Sequence, residues 1–186
     1  MKNKKIFNLV LAALFLALGL VLPFLTGQIK EIGNMLLPMH IPVMLCGLIC
    51  GWQYGLVIGF VTPIMRSILF GMPVMFPSAF AMAFELATYG FVIGILFSKA
   101  KWKCIKSLYR CLLLAMLCGR VVWGIVQMFI LGLGEGGFTL TMFITSSFLN
   151  AIPGIVLQLV LIPVVMLALG KTHMVKFRKK VKEESK

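Results

Sequence analysis

Three ionisable side chains, Arg66, Glu85 and Arg120, stand inside long apolar stretches of this 186-residue chain. A charged side chain at the centre of a bilayer costs about 2.5–3.5 kcal/mol on insertion scales, so each should face other protein and not lipid. Their neighbours build two polar helix faces. Glu85, Thr88 and Tyr89 share one face of a helix. Arg120, Trp123 and Gln127 share one face of another, at i, i+3 and i+7. His40 and Asn150 add two more hydrogen-bonding groups, and Gln158 lies two turns beyond Asn150. Two chemistries are open. The groups can line a polar pocket, with tryptophan, tyrosine and phenylalanine around it, that captures a small ligand. Alternatively, Glu85 and Arg120 can form a structural ion pair that locks two helices together. Both can hold at once. Arg66 and Arg120 against Glu85 leave one positive charge, with His40 counted neutral. That surplus suits a partly anionic or strongly hydrogen-bonding ligand.

Other site chemistry is poorly supported. The two histidines, His40 and His173, are far apart and no H-E-x-x-H occurs, so no metal site is expected. Ser67, Ser78, Ser146 and Ser147 fall in or near apolar helices, where serine usually packs or bonds to its own backbone. His40 has no evident carboxylate at matching depth to orient it, so an intramembrane enzyme is disfavoured. Gly170-Lys171-Thr172 looks like the end of a phosphate loop, but Val165 stands where the motif needs glycine, and no strand precedes it. No nucleotide site and no cofactor are expected. The cysteines, Cys46, Cys50, Cys104, Cys111 and Cys118, form no C-x-x-C pair and read as packing residues. The last three, spaced by seven, can share a helix face.

The elements that must position these groups follow from composition. The chain is 61% hydrophobic and 12% charged, which excludes an ordinary soluble domain. Basic residues gather at Lys2-Lys4-Lys5, from Lys99 to Arg110, and from Lys171 to Lys186. The net charge of +13 therefore reads as cytoplasmic anchoring beside anionic lipid and not as nucleic-acid binding. Both termini and one middle loop fall on the cytoplasmic side, so an even number of spans lies between each pair of clusters. Ile6 to Leu25 is as long as a full span and has no A-x-A cleavage site after it, so it is read as a retained helix.

The expectation is a single all-α membrane domain over 1–186, a six-helix bundle with a basic cytoplasmic tail at 171–186. The helices are placed at about 6–26, 40–51, 55–70, 78–98, 108–132 and 141–170. Residues 27–39 and Gly132 to Gly137 are outer connections, and Gly51 to Gly55 is a tight inner turn. The second helix is short for a bilayer and is either extended toward Leu36 or partly re-entrant. A continuous helix over 42–70 would stack Gly47, Gly51, Gly55 and Gly59 into a close-packing ladder. It is rejected because the span count becomes odd. Ala13-x-x-x-Ala17 on the first helix allows another helix to approach closely, although such pairs are common in internal packing.

The blocks LLPMHIPVMLCGLICGWQYGLVIGFVTPIMRSILFGMP (36–73) and FPSAFAMAFELATYGFVIGIL (76–96) resemble the substrate-binding S components of energy-coupling factor (ECF) transporters, bacterial vitamin importers. The likeness extends over about residues 6–170. It implies a six-helix subunit of the bacterial cell membrane without ATPase activity, binding a vitamin or precursor in an outward-facing pocket. It also implies docking on a transmembrane T subunit with two ATPase subunits, often through small residues of the first helix, which Ala13 and Ala17 match. Within the family the chain looks closest to members assigned to hydroxymethylpyrimidine or vitamin B6-type compounds, then to pantothenate carriers. No ligand residue is carried over from relatives. Glu85, Tyr89, Arg120, Trp123, Gln127, Asn150, Arg66 and His40 are candidates from helix faces and depth. A stand-alone facilitator is the main alternative, but the two halves differ in length and share no repeat.

Overall fold

The computed structural model describes residues 2–26, 38–100, 105–132, 145 and 151–171. Six helices are seen there and no strand: α1 (Lys2–Val21), α2 (His40–Ile49), α3 (Trp52–Phe70), α4 (Phe80–Lys99), α5 (Ile105–Leu131) and α6 (Ile152–Lys171). All but α2 are long and apolar enough to cross a membrane. Large apolar side chains such as Val10, Leu113, Phe129 and Val160 face outward, as lipid contact requires.

α2 explains itself through burial. Its ten residues rise only about 15 Å, half of a bilayer core of about 30 Å. Every residue from His40 to Leu48 is buried, however. An apolar helix enclosed on all sides needs no lipid-matched length.

Several boundaries depart from the sequence expectation. α1 starts at Lys2 rather than near residue 6, because lysine is a good helix former and nothing interrupts the run. It gives way at Leu22–Thr26 to a tighter 3-10 turn, where Pro23 removes a backbone donor. The inner turn expected over Gly51 to Gly55 shrinks to Cys50 and Gly51. Gly51 alone takes a positive φ of 102°, and Trp52, Gln53 and Tyr54 are already helical. A wide helical turn, Met75–Ala79, leads into α4, with Ala79 N–H bonded to the Val74 carbonyl at 2.9 Å. The outer segment 27–37, the loop after Gly132, the first part of the expected sixth helix and the basic tail lie outside the described residues, apart from Thr145 and Lys171.

The rejected glycine ladder returns in another form. The continuous helix is indeed broken at Gly51, yet Gly47 on α2 and Gly55 on α3 meet Gly90 on α4. A methyl group on any of the three would strike the backbone of another. Gly59 meets the Leu86 backbone in the same manner, and Gly94 meets Trp52. Three helices thus touch main chain to main chain, the arrangement that small residues permit inside membranes. Around this junction Val43, Met44, Leu86, Ile93, Leu108 and Leu112 are fully enclosed.

α1 is tied on at both ends. Asn8 Nδ2 donates to the Cys50 carbonyl at the end of α2, 3.4 Å away. Near the other end, Arg66 Nη1 donates to the Leu20 carbonyl at 2.6 Å. Of the expected cysteine face, Cys111 is buried and Cys118 exposed, while Cys104 lies outside the described residues.

Candidate functional site

α4 supplies the centre of the site. Glu85 and Tyr89 are one turn apart on its buried face, and the Tyr89 hydroxyl donates to Glu85 Oε1 at 2.8 Å. From α5, Arg120 Nη1 reaches the same oxygen at 3.1 Å. From the first turn of α2, His40 Nε2 stands 3.6 Å from it. The His40 and Tyr89 rings lie 5.2 Å apart, tilted at 56°. Three helices therefore bring three polar side chains to one carboxylate oxygen. Glu85 is 2% exposed, His40 1%, Tyr89 2% and Arg120 7%.

The sequence expectation that His40 lacks a carboxylate at its depth is corrected by this geometry. α2 is short and begins deep enough to set His40 beside Glu85. A residue-by-residue depth count along full-length spans could not reveal that.

The chemistry is that of a compensated charge. A buried carboxylate without partners is very costly, and Arg120 together with the Tyr89 hydroxyl offsets that cost. The local fold serves this arrangement at Gly119, next to Arg120. The Tyr89 ring lies against Gly119 so closely that any β-carbon there would overlap it. Gly119 went unnoticed in the sequence, where a lone glycine in an apolar helix carries little signal.

Unpartnered polar atoms extend the site. His40 Nδ1 and Nε2, Gln127 Oε1 and Gln158 Nε2 are buried and have no hydrogen-bond partner among the described residues. Such atoms normally find protein, water or ligand. Gln127 lies on the Arg120 face of α5. Gln158 is 2% exposed on α6, a helix that packs against α2 and α5. The sequence reading had noted Gln158 without making it a candidate.

The remaining candidates are placed as follows. Trp123 is half-buried on α5. Thr88 bonds back to the Phe84 carbonyl at 2.7 Å and takes no part in the cluster. Asn150 lies outside the described residues. Arg66 is engaged elsewhere: besides its bond to Leu20, its guanidinium sits over Phe24 and Phe70, 5.3 and 5.6 Å from the ring centres. A tightened turn after Leu20 would aim that carbonyl at the backbone nitrogen of residue 23. Pro23 has no N–H to give, and Arg66 supplies the donor instead. Ala13 and Ala17 are exposed on α1, whereas Ala12, Phe15 and Gly19 face inward. No cluster of three or more potential metal ligands occurs among the described residues.

Buried polar residues thus converge from three helices of a chain in which five helices are long and apolar enough to cross a membrane. The family model of the ECF transporter substrate-specific component matches residues 7–166, and the chain belongs to that family. It is therefore a substrate-specific component of an ECF transporter, a multi-pass membrane protein of transport and not an enzyme family, with a small-molecule substrate and docking on an ECF module. Neither a curated protein nor a solved structure matches the chain.

Proposed function

We propose that the chain is the ligand-capturing subunit of a vitamin importer in a bacterial cell membrane, with six helices and both termini cytoplasmic. It takes a small water-soluble vitamin or precursor from outside, of the hydroxymethylpyrimidine, pyridoxine or pantothenate type. It then delivers the ligand by docking on a T subunit that carries two ATPases. Glu85, Tyr89, Arg120 and His40 form the polar floor of the binding site. Gln127 and Trp123 stand on α5 beyond Arg120, and Asn150 is assigned to the site from its place in the sequence.

The observation that supports this reading most is the convergence on Glu85 Oε1, with buried polar atoms of His40 still unpartnered beside it and one of Gln127 unpartnered two turns further along α5. A purely structural ion pair would have no use for those orphaned atoms, whereas a polar ligand would satisfy them. Docking through α1 is supported by the exposure of Ala13 and Ala17 on a face free of the bundle's own packing.

Thermal-shift screening of the purified chain against the B vitamins and their precursors tests the binding role, with mass spectrometry of co-purified small molecules. One compound should raise the melting temperature, and uptake should require the partner subunits and ATP. No stabilisation by any compound would refute capture. Uptake by the chain alone would mark a facilitator.

A further inference from the structure

Charged residues outside the three basic clusters are few. They are Lys30, Arg66 and Arg120 against Glu31, Glu85 and Glu135. Arg66 is committed to the end of α1 through the Leu20 carbonyl and two phenylalanine rings. Arg120 is matched by Glu85 at 3.1 Å. Lys30, Glu31 and Glu135 lie outside the described residues. The positive surplus expected from sequence therefore vanishes at the cluster. An anion brought there would be stripped of water, would meet no uncompensated arginine or lysine among the described residues, and would stand near Glu85. A cation would find Glu85 already held by Arg120 and Tyr89.

The unpartnered atoms define what a ligand must offer. His40 Nδ1 and Nε2 both lack a hydrogen-bond partner, Nε2 lying 3.6 Å from the Glu85 carboxylate, and a neutral imidazole keeps one of its two nitrogens as an acceptor. Gln127 Oε1 is a second acceptor, and Gln158 Nε2 is a donor. Gln127 lies seven residues beyond Arg120, about 10 Å along the helix. That length fits one substituted ring or a short chain.

Building on the substrate-binding reading above, and narrowing it to exclude pantothenate itself, we propose that this site takes an electrically neutral small molecule carrying at least two hydrogen-bond donors, and discriminates against its carboxylate counterpart. Neutrality is the selective property, because the cluster is balanced before the ligand arrives.

Matched pairs test this on the full chain in detergent by titration calorimetry: panthenol against pantothenate, and pyridoxine against 4-pyridoxate. Each pair exchanges a hydroxymethyl group for a carboxylate. The neutral member of whichever pair binds should be favoured by roughly tenfold or more, equivalent to about 1.4 kcal/mol. Equal or tighter binding of the anion overturns the proposal, as does an anionic compound found co-purified. A neutral co-purified compound supports it. In Glu85→Gln, Arg120 is left uncompensated, and the neutral-to-anion preference should fall by roughly tenfold or reverse. An unchanged preference in a folded Glu85→Gln protein also overturns it. If no probe binds and nothing co-purifies, the substrate-binding reading itself fails, and this proposal falls with it.

Discussion

Gly119 lies flat against the Tyr89 ring, and the missing side chain of one residue is what lets the other's hydroxyl reach Glu85. Replacing Gly119 by alanine must displace the ring or spread α4 from α5. Overpacking of this kind costs about 1–3 kcal/mol. Gly119→Ala should lower the melting temperature in detergent and weaken ligand binding together. A variant with normal stability and normal binding would show that Tyr89 has room to move.

Glu85 and Arg120 should behave as one unit. Removing either partner of a buried pair leaves an uncompensated charge and costs about 3–5 kcal/mol. Glu85→Ala and Arg120→Ala should each abolish ligand binding. The double variant should be less destabilised than the sum of the two, which a double-mutant cycle on denaturation measures directly. Strict additivity would mean that the 3.1 Å contact has no energetic weight.

At Gly90 the neighbour of a new side chain is the main chain of Gly55, which cannot rotate away. Gly90→Val should therefore be more damaging than Gly119→Ala, where a ring can yield. Poor membrane accumulation, or early unfolding on heating, is the expected result. Near-normal behaviour would disprove the close approach of α3 and α4.

Arg66 has a structural task in this fold, and lysine should not replace it, because a guanidinium can donate to a carbonyl while stacking on rings. Arg66→Lys and Arg66→Gln should speed amide exchange around Leu20 to Thr26 while leaving ligand affinity within about threefold, a change of under 1 kcal/mol. A loss of binding much larger than that would return Arg66 to the ligand site.

Bulk on the outer face of α1 separates capture from delivery. Ala13→Trp and Ala17→Trp should keep ligand binding by the isolated chain and stop uptake in cells that hold the partner subunits. Undiminished uptake by both variants would remove α1 from the docking surface.

The membrane character, the long helices and the two polar faces were legible because they depend on local quantities. Hydropathy marks the spans, and i, i+4 spacing sets Glu85 beside Tyr89. Arg120 opposite Glu85 was within reach too, since a lone buried carboxylate must find a cation. What escaped detection depends on how the helices meet. His40 was a candidate from sequence, but its approach to Glu85 was concealed, because α2 is short and enclosed, a tertiary fact that full-length spans hide. Depth alone also does not reveal that Arg66 donates to the Leu20 carbonyl at the end of α1. Gly90 and Gly119 were invisible for a simpler reason: a glycine announces close approach only when its neighbour is known.

The meeting of Gly47, Gly55 and Gly90 also says where the chain can be re-engineered. These positions bear no side chain to exchange, so the joint they make offers no handle for retuning what the protein accepts. On the proposed reading of the site, a redesign toward another cargo works through side chains such as His40 and Gln127, leaving that bare-backbone joint as it stands.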